Sequence, residues 1–236
     1  MYRFLFILFT TVFLAACNTQ SPEDIMSETR TASDDVSSYT LNLEYTYEDP
    51  VNEETFERYS GTVDASIDSE QNTGRVYFIQ QDDEYDYYYD NDDTFENILS
   101  YEEPEWKTSV FSVDQIKELY FTEYEIVTSI LSLMEDEEIR LHGEEDTMYE
   151  AFYEIDGERA KEVVDAIGVE FPEEESTTGG TVRVGVDKDS MQTAYLNVTY
   201  TTTLDDTEMY HELTFNYSDI NSDDIVEQPE DIDNIE

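Results

Sequence analysis

A run of residues that alternates dry and wet at every second position can bury only one face of a strand, and this chain repeats that pattern along most of its length. Leu41, Leu43, Tyr45 and Tyr47 alternate with Thr40, Asn42, Glu44 and Thr46, the signature of a sheet with one face in a core and the other in water. The period of two returns in Tyr59, Val63 and Ile67, and in the Tyr-rich run 85–89. It returns again in Tyr149, Ala151, Tyr153 and Ile155; in Val182, Val184 and Val186; in Leu196, Val198 and Tyr200; and in Met209, His211, Leu213, Phe215 and Tyr217. Shorter strands are predicted at 75–81 and 106–110, and at Ile139 and Leu141. Asp49-Pro50 is predicted to break the first strand, Gly61 to mark a bulge or bend in the second, and Asn72-Thr73-Gly74 to turn the chain. Residues 171–180 read as a loop.

Helical spacing interrupts the strands three times. Ser21-Pro22 places a capping hydroxyl before a proline at the first helical position, and Ile25, Thr29, Ala32 and Val36 follow on one modest face. Ser112 and Gln115 form a capping box, and Thr122 with Glu125 repeats it. They open two consecutive helices, or one kinked helix, carrying Ile116, Leu119 and Tyr120 and then Ile126, Val127, Ile130, Leu131 and Met134. Asp156 caps a third helical stretch with Ala160, Val163, Val164 and Ile167, closed by Gly168. This order predicts an α+β, β-dominated fold: one twisted antiparallel sheet with its helices gathered on one face. The halves 39–110 and 139–218 look loosely alike, and no linker is long enough to divide residues 22–220 into two domains.

The N-terminus addresses the chain. Arg3 precedes an apolar run from Phe4 to Leu14 that is too short to span a bilayer. Leu14-Ala15-Ala16-Cys17 then matches the lipobox of bacterial lipoproteins, in which the cysteine is acylated and becomes the first mature residue. Residues 1–16 therefore read as a signal peptide, 17–21 as a lipidated tether and 221–236 as an acidic tail. Cys17 is the chain's only cysteine, so neither an internal disulfide nor a cysteine-ligated metal site can form. The formal net charge is -49, and once Arg3 is removed 10 cations face 60 acids. That charge excludes nucleic acid as a partner and repels anionic membrane surfaces. It suits a salt-adapted surface, with multivalent cation binding as the other reading. The 19 tyrosines and 12 phenylalanines supply core enough to keep so acidic a chain folded.

Several stretches together are similar to the lipoprotein-carrier superfamily typified by LolA, and to the lipid-anchored lipoproteins of Gram-positive bacteria within it. They are the passage from helix to strand at Ser38-Tyr39-Thr40-Leu41-Asn42-Leu43, the capped helices in the middle, Asp156-Gly157-Glu158-Arg159-Ala160-Lys161 after a Tyr-rich strand, and Phe215-Asn216-Tyr217-Ser218-Asp219-Ile220 leading to Ile225-Val226-Glu227-Gln228-Pro229. The resemblance implies a curved sheet forming an incomplete, half-closed barrel whose concave face the helices cover. It implies a hollow for acyl chains or lipidated partners, or, in another branch, a sensor that binds a regulatory protein. It brings no catalytic residue.

Chemistry has little purchase on the sequence. His211-Glu212 begins a zinc-protease-like string, but Phe215 stands where the second histidine belongs. No nucleophile elbow or phosphate-cradling glycine loop occurs. Asp82-Asp83-Glu84 and Asp90-Asn91-Asp92-Asp93 offer clustered oxygens for calcium, or simply solvated loops, and Phe95 occupies the position an EF-hand gives to glycine. No catalytic residue, metal or cofactor is assigned, and the chain reads as a binding protein rather than an enzyme. The candidate cavity is formed by Leu43 and Tyr45, by Ile126, Val127, Ile130 and Leu131, and by Leu196, Val198 and Phe215. The same residues also suit an ordinary packed core. The expected partners are the cell membrane, reached from its extracytoplasmic side through acylated Cys17, and a lipid or lipoprotein ligand. A sensor or protein-interaction module without lipid cargo is the alternative. Cys17→Ala should abolish acylation and shift the protein from the membrane to the soluble fraction almost completely, because anchoring needs its acyl chains. Fractionation after a high-salt wash checks it.

Overall fold

The computed structural model describes residues 21–52, 55–81, 83–99, 105–137, 139–141, 147–169, 176–204, 207–230, 232 and 235. The stretch read as a signal peptide, Cys17, the residues read as a tether up to Gln20, Asp82 and His142 lie outside them. One eleven-stranded antiparallel sheet organises the chain, in the order β6-β5-β4-β3-β2-β1-β11-β10-β9-β8-β7. Its first half is a meander of β1 (Ser38–Asn52), β2 (Thr55–Asp68), β3 (Thr73–Gln80), β4 (Asp83–Asp90), β5 (Asp93–Ile98) and β6 (Lys107–Thr108). The second half runs from β7 (Arg140–Leu141) through β8 (Met148–Asp156), β9 (Ser176–Asp187) and β10 (Thr193–Leu204) to β11 (Thr207–Ser218). The halves join where β1 pairs with β11, Leu43 opposite Phe215 and Tyr47 opposite His211. The sheet is curved and does not close, so it forms an incomplete barrel. Its edges are the two-residue strands β6 and β7, too short to template pairing with another chain.

Among the described residues four helices cover the inner face: α1 (Pro22–Ser33), α2 (Val113–Leu119), α3 (Glu125–Leu133) and α4 (Gly157–Ile167). The capping chemistry read at Ser21, Ser112 and Asp156 is in place. Ser21 Oγ accepts from Asp24 N at 3.1 Å, Ser112 Oγ from Gln115 N at 3.3 Å, and Asp156 Oδ1 from Arg159 N at 2.9 Å. Gly168 ends α4 in the left-handed region, at φ 92°, where a Cβ would be strained.

The structure corrects the sequence reading at five points, one of them the loop read at 171–180, whose last residues, Ser176 to Gly180, belong to β9 and pair in the sheet. Asp49-Pro50 does not break β1, which continues to Asn52; the register shifts between Pro50 and Asn52, at the strand end where a missing N–H costs least. Gly61 makes no bulge and sits in register opposite Tyr45. Thr122 does not cap: α3 begins after Tyr124 without a side-chain cap, and buried Thr122 offers its carbonyl to the Tyr39 hydroxyl instead. Strand β5 went unread because its buried positions include Thr94 and Glu96 rather than apolar residues. Thr94 Oγ1 donates to Phe111 O at 2.7 Å and Glu96 pairs with Lys107 at 3.1 Å, so the sheet satisfies them where they lie.

The core is the inner face of the sheet closed by α3 and α4. Ile126, Val127, Ile130 and Leu131 are buried in one cluster with Leu43, Leu196, Val198 and Phe215. Each such side chain contributes about 1.5–3 kcal/mol on burial, which makes α3 the main apolar plug of the barrel. Ile130 has no exposed surface, so Ile130→Ala should cost about 2–5 kcal/mol. Denaturant melts of the two proteins, with unchanged slopes, would register it.

Candidate functional site

Beyond α3 the inner face of the sheet is not filled. A hollow of about 340 Å³ lies towards the β1–β2 hairpin, within the volume range of small-molecule sites. Its apolar walls are Leu43 of β1, Val63 of β2, Phe78 of β3 and Leu213 of β11. Its roof is the α2–α3 junction, Leu119, Tyr120 and Phe121, with Val169 from the residues after α4. Of the nine residues expected to line a cavity, Leu43 and Tyr45 do so. Ile126, Val127, Ile130, Leu131, Leu196, Val198 and Phe215 are buried core and are not among the lining residues. The helix whose residues were expected to line the cavity therefore fills the barrel, and the less apolar junction before it covers the hollow.

That junction is held in an uncommon way. Phe121 has φ 52°, a conformation bulky residues avoid. Tyr120 is wedged between Phe78 and Tyr87, with ring centroids 4.9 and 5.4 Å away. Burial, and a hydrogen bond to the Tyr87 hydroxyl, raise the Tyr120 phenol far above its ordinary pKa, so it stays protonated. Leu119 remains half exposed at the mouth.

A row of stacked rings crosses four strands at the same end. Tyr59 of β2 stacks on Tyr47 of β1 at 5.5 Å, Tyr47 on His211 of β11 at 5.2 Å, and His211 on Tyr200 of β10 at 4.5 Å. Each neighbour is a direct register partner, so the pairing of the strands builds the stack. Burial pushes the His211 imidazole down to about 4, leaving it neutral at pH 7, and its Nε2 lies 2.9 Å from Thr202 Oγ1. The sequence displayed all four rings on dry faces; only the register shows them to be one row.

Tyr45 owes its place to a glycine. It faces Gly61 across β1 and β2, and a Cβ at Gly61 would overlap the Tyr45 ring. The ring lies down on the sheet over the glycine. The same pairing recurs at Tyr89 on Gly74 and at Tyr195 on Gly185, a known way of covering glycines in curved sheets.

The cations are all accounted for, because every lysine and arginine after Arg3 is described. Arg30 pairs with Glu135, Arg58 with Glu48, Arg75 with Asp86, Lys107 with Glu96, Arg140 with Glu154, Arg159 with Glu137 and Glu162, and Lys161 with Asp165. Lys117, Arg183 and Lys188 lie over the rings of Tyr89, Phe152 and Tyr149. None of them lines the hollow. Among the described residues no three of His, Cys, Asp and Glu are grouped to hold a metal ion, and no helix is long and apolar enough to cross a membrane.

No family model matches the chain, and no curated protein does. Solved structures are similar in outline. One is the Pseudomonas aeruginosa MucA/MucB complex, at 9% identity and TM-score 0.31 over 88% of this chain; the chain spans 60% of that one. Another is a LolA superfamily protein from Nitrosomonas europaea, at 11% identity and TM-score 0.27, covering 90% of this chain and 97% of that one.

Gly61→Val should push the Tyr45 ring up into the hollow at a cost of about 1–3 kcal/mol. Adding Tyr45→Ala removes the overlap, so the double variant should be more stable than the sum of the single losses predicts. Strict additivity in thermal denaturation would rule out the displaced ring.

Proposed function

We propose that the protein is held at the extracytoplasmic face of the cell membrane by acylated Cys17 and binds a hydrophobic or lipidated molecule in the hollow between sheet and helices. We read it as a LolA-like lipoprotein, of the lipid-anchored kind found in Gram-positive bacteria. The observation that carries the binding function is the hollow itself: about 340 Å³ left open on the inner face of the sheet. Leu43, Val63, Phe78 and Leu213 give it an apolar interior, while Tyr45, Tyr47, Gln80 and His211 add hydrogen-bonding groups. An apolar wall with a few convergent polar groups is what a ligand site for an amphiphile requires, and tyrosine suits its entrance, with an apolar ring and a wet hydroxyl.

Residues 17–236 carrying Cys17→Ala, which contain every described element, provide the test. Protein purified without detergent should carry a bound lipid in native mass spectrometry, or should bind the uncharged fluorophore N-phenyl-1-naphthylamine saturably at one site. Neither a bound lipid nor saturable fluorescence would refute the binding function and leave only the fold.

A further inference from the structure

The hollow has no cation with which to meet an anionic ligand. All ten lysines and arginines after Arg3 are tied to carboxylates or rings elsewhere, and none lines it. The segments outside the described residues, such as 100–104, 142–146 and 170–175, contain acids and no lysine or arginine beyond Arg3, so they add neither residue to the hollow. Among the described residues the only carboxylate at the hollow, Glu212, turns its side chain to the outer face of the sheet, where Oε1 accepts from Asn197 Nδ2 at 3.1 Å.

What the hollow does offer is uncharged. Gln80 and Tyr45 present an amide and a phenol, and Gln80 is exposed at the end of β3. Deeper in, Leu43, Val63 and Leu213 give an alkyl chain apolar surface. A carboxylate or phosphate drawn in here would lose its hydration with no opposite charge to replace it. It would also approach through the field of a protein of net charge -49. A hydroxyl or ester head meets neither penalty and finds donors and acceptors.

Building on the proposed binding function, we infer that the hollow takes a single-chain amphiphile with an uncharged, hydrogen-bonding head, such as a monoacylglycerol, and turns away carboxylate, phosphate and sulfate heads. The test uses residues 17–236 with Cys17→Ala, at low salt, and three displacers of N-phenyl-1-naphthylamine with the same chain length, each below its micelle concentration. They are monododecanoylglycerol, dodecanoate and dodecyltrimethylammonium. The glycerol ester should displace the fluorophore at least about tenfold more strongly than dodecanoate, a free-energy difference of about 1.4 kcal/mol. Gln80→Arg should narrow that gap by strengthening dodecanoate alone.

Equal or stronger displacement by dodecanoate in the unaltered protein overturns the inference while the binding function stands. So does an ammonium compound that outcompetes the ester, since the field alone would then choose the ligand. A gap unmoved by Gln80→Arg overturns the placement of the head beside β3. Failure of the fluorophore itself to bind refutes the binding function, and this inference with it.

Discussion

The pairing of β1 with β11 holds the molecule together. Each half of the sheet is a meander of near neighbours, but neither half has an opposing surface that could make a barrel by itself. The ladder from Thr40 opposite Ser218 to Glu48 opposite Tyr210 sets the halves side by side. It fixes which inward residues meet beneath the helices, and it brings β2, β1, β11 and β10 together as the floor of the hollow. It also joins positions more than 160 residues apart, so the loop-closure entropy is met late and the fold depends on non-local contacts. The buried tyrosines reinforce this seam. Tyr39 and Tyr217 lie across it with ring centroids 5.9 Å apart, and Tyr124 at the start of α3 packs on both, at 5.3 and 4.9 Å.

Much of this architecture could be read from the sequence because its signals are local. Period-two burial located most of the strands, and Ser112, Asp156 and Gly168 marked helix ends through hydrogen bonds that span only a few residues. Strand β5 was missed because Thr94 and Glu96 face inward and are satisfied by Phe111 and Lys107, partners that only the folded sheet supplies. Thr122 misled because a hydroxyl three residues before an acid fits a capping box in any context, whereas the Tyr39 hydroxyl made its carbonyl more useful in the core. The hollow was the hardest feature to foresee. The apolar content of Ile126, Val127, Ile130 and Leu131 suggested a ligand surface, but strongly apolar residues are those most readily filled around. The space remained where side chains are mixed, at Tyr45, Tyr47, Gln80 and His211. What leaves it open is Gly61, whose missing side chain lets a tyrosine lie flat, and a glycine's role of that kind depends on the register of its neighbour.

The acidity and the site are two sides of one distribution of charge. With 60 acids against 11 basic residues, each cation has many carboxylates competing for it, and the pairs that form are mostly exposed and individually weak. Arg75 is an exception: it makes a bidentate contact with buried Asp86, with Nη2 2.7 Å from Oδ2. Such pairs hold the cations away from the hollow, which acquires its polarity from phenols, an amide and an uncharged imidazole.

The placement of the cations also bears on resistance to proteolysis. Proteases that cut after lysine or arginine need the residue on a segment able to adopt an extended form in their cleft, and loops are where such segments are found. Nine of the ten cations after Arg3 sit inside helices or strands, and Lys188 lies in the tight turn between β9 and β10. In sequence, residues 99–106 and 170–175 are acidic and contain neither lysine nor arginine. Digestion by trypsin-like enzymes at those nine cations would therefore have to wait for the helix or strand that holds each one to open, and the lifetime of the protein in such surroundings becomes a measure of how rarely its elements open locally.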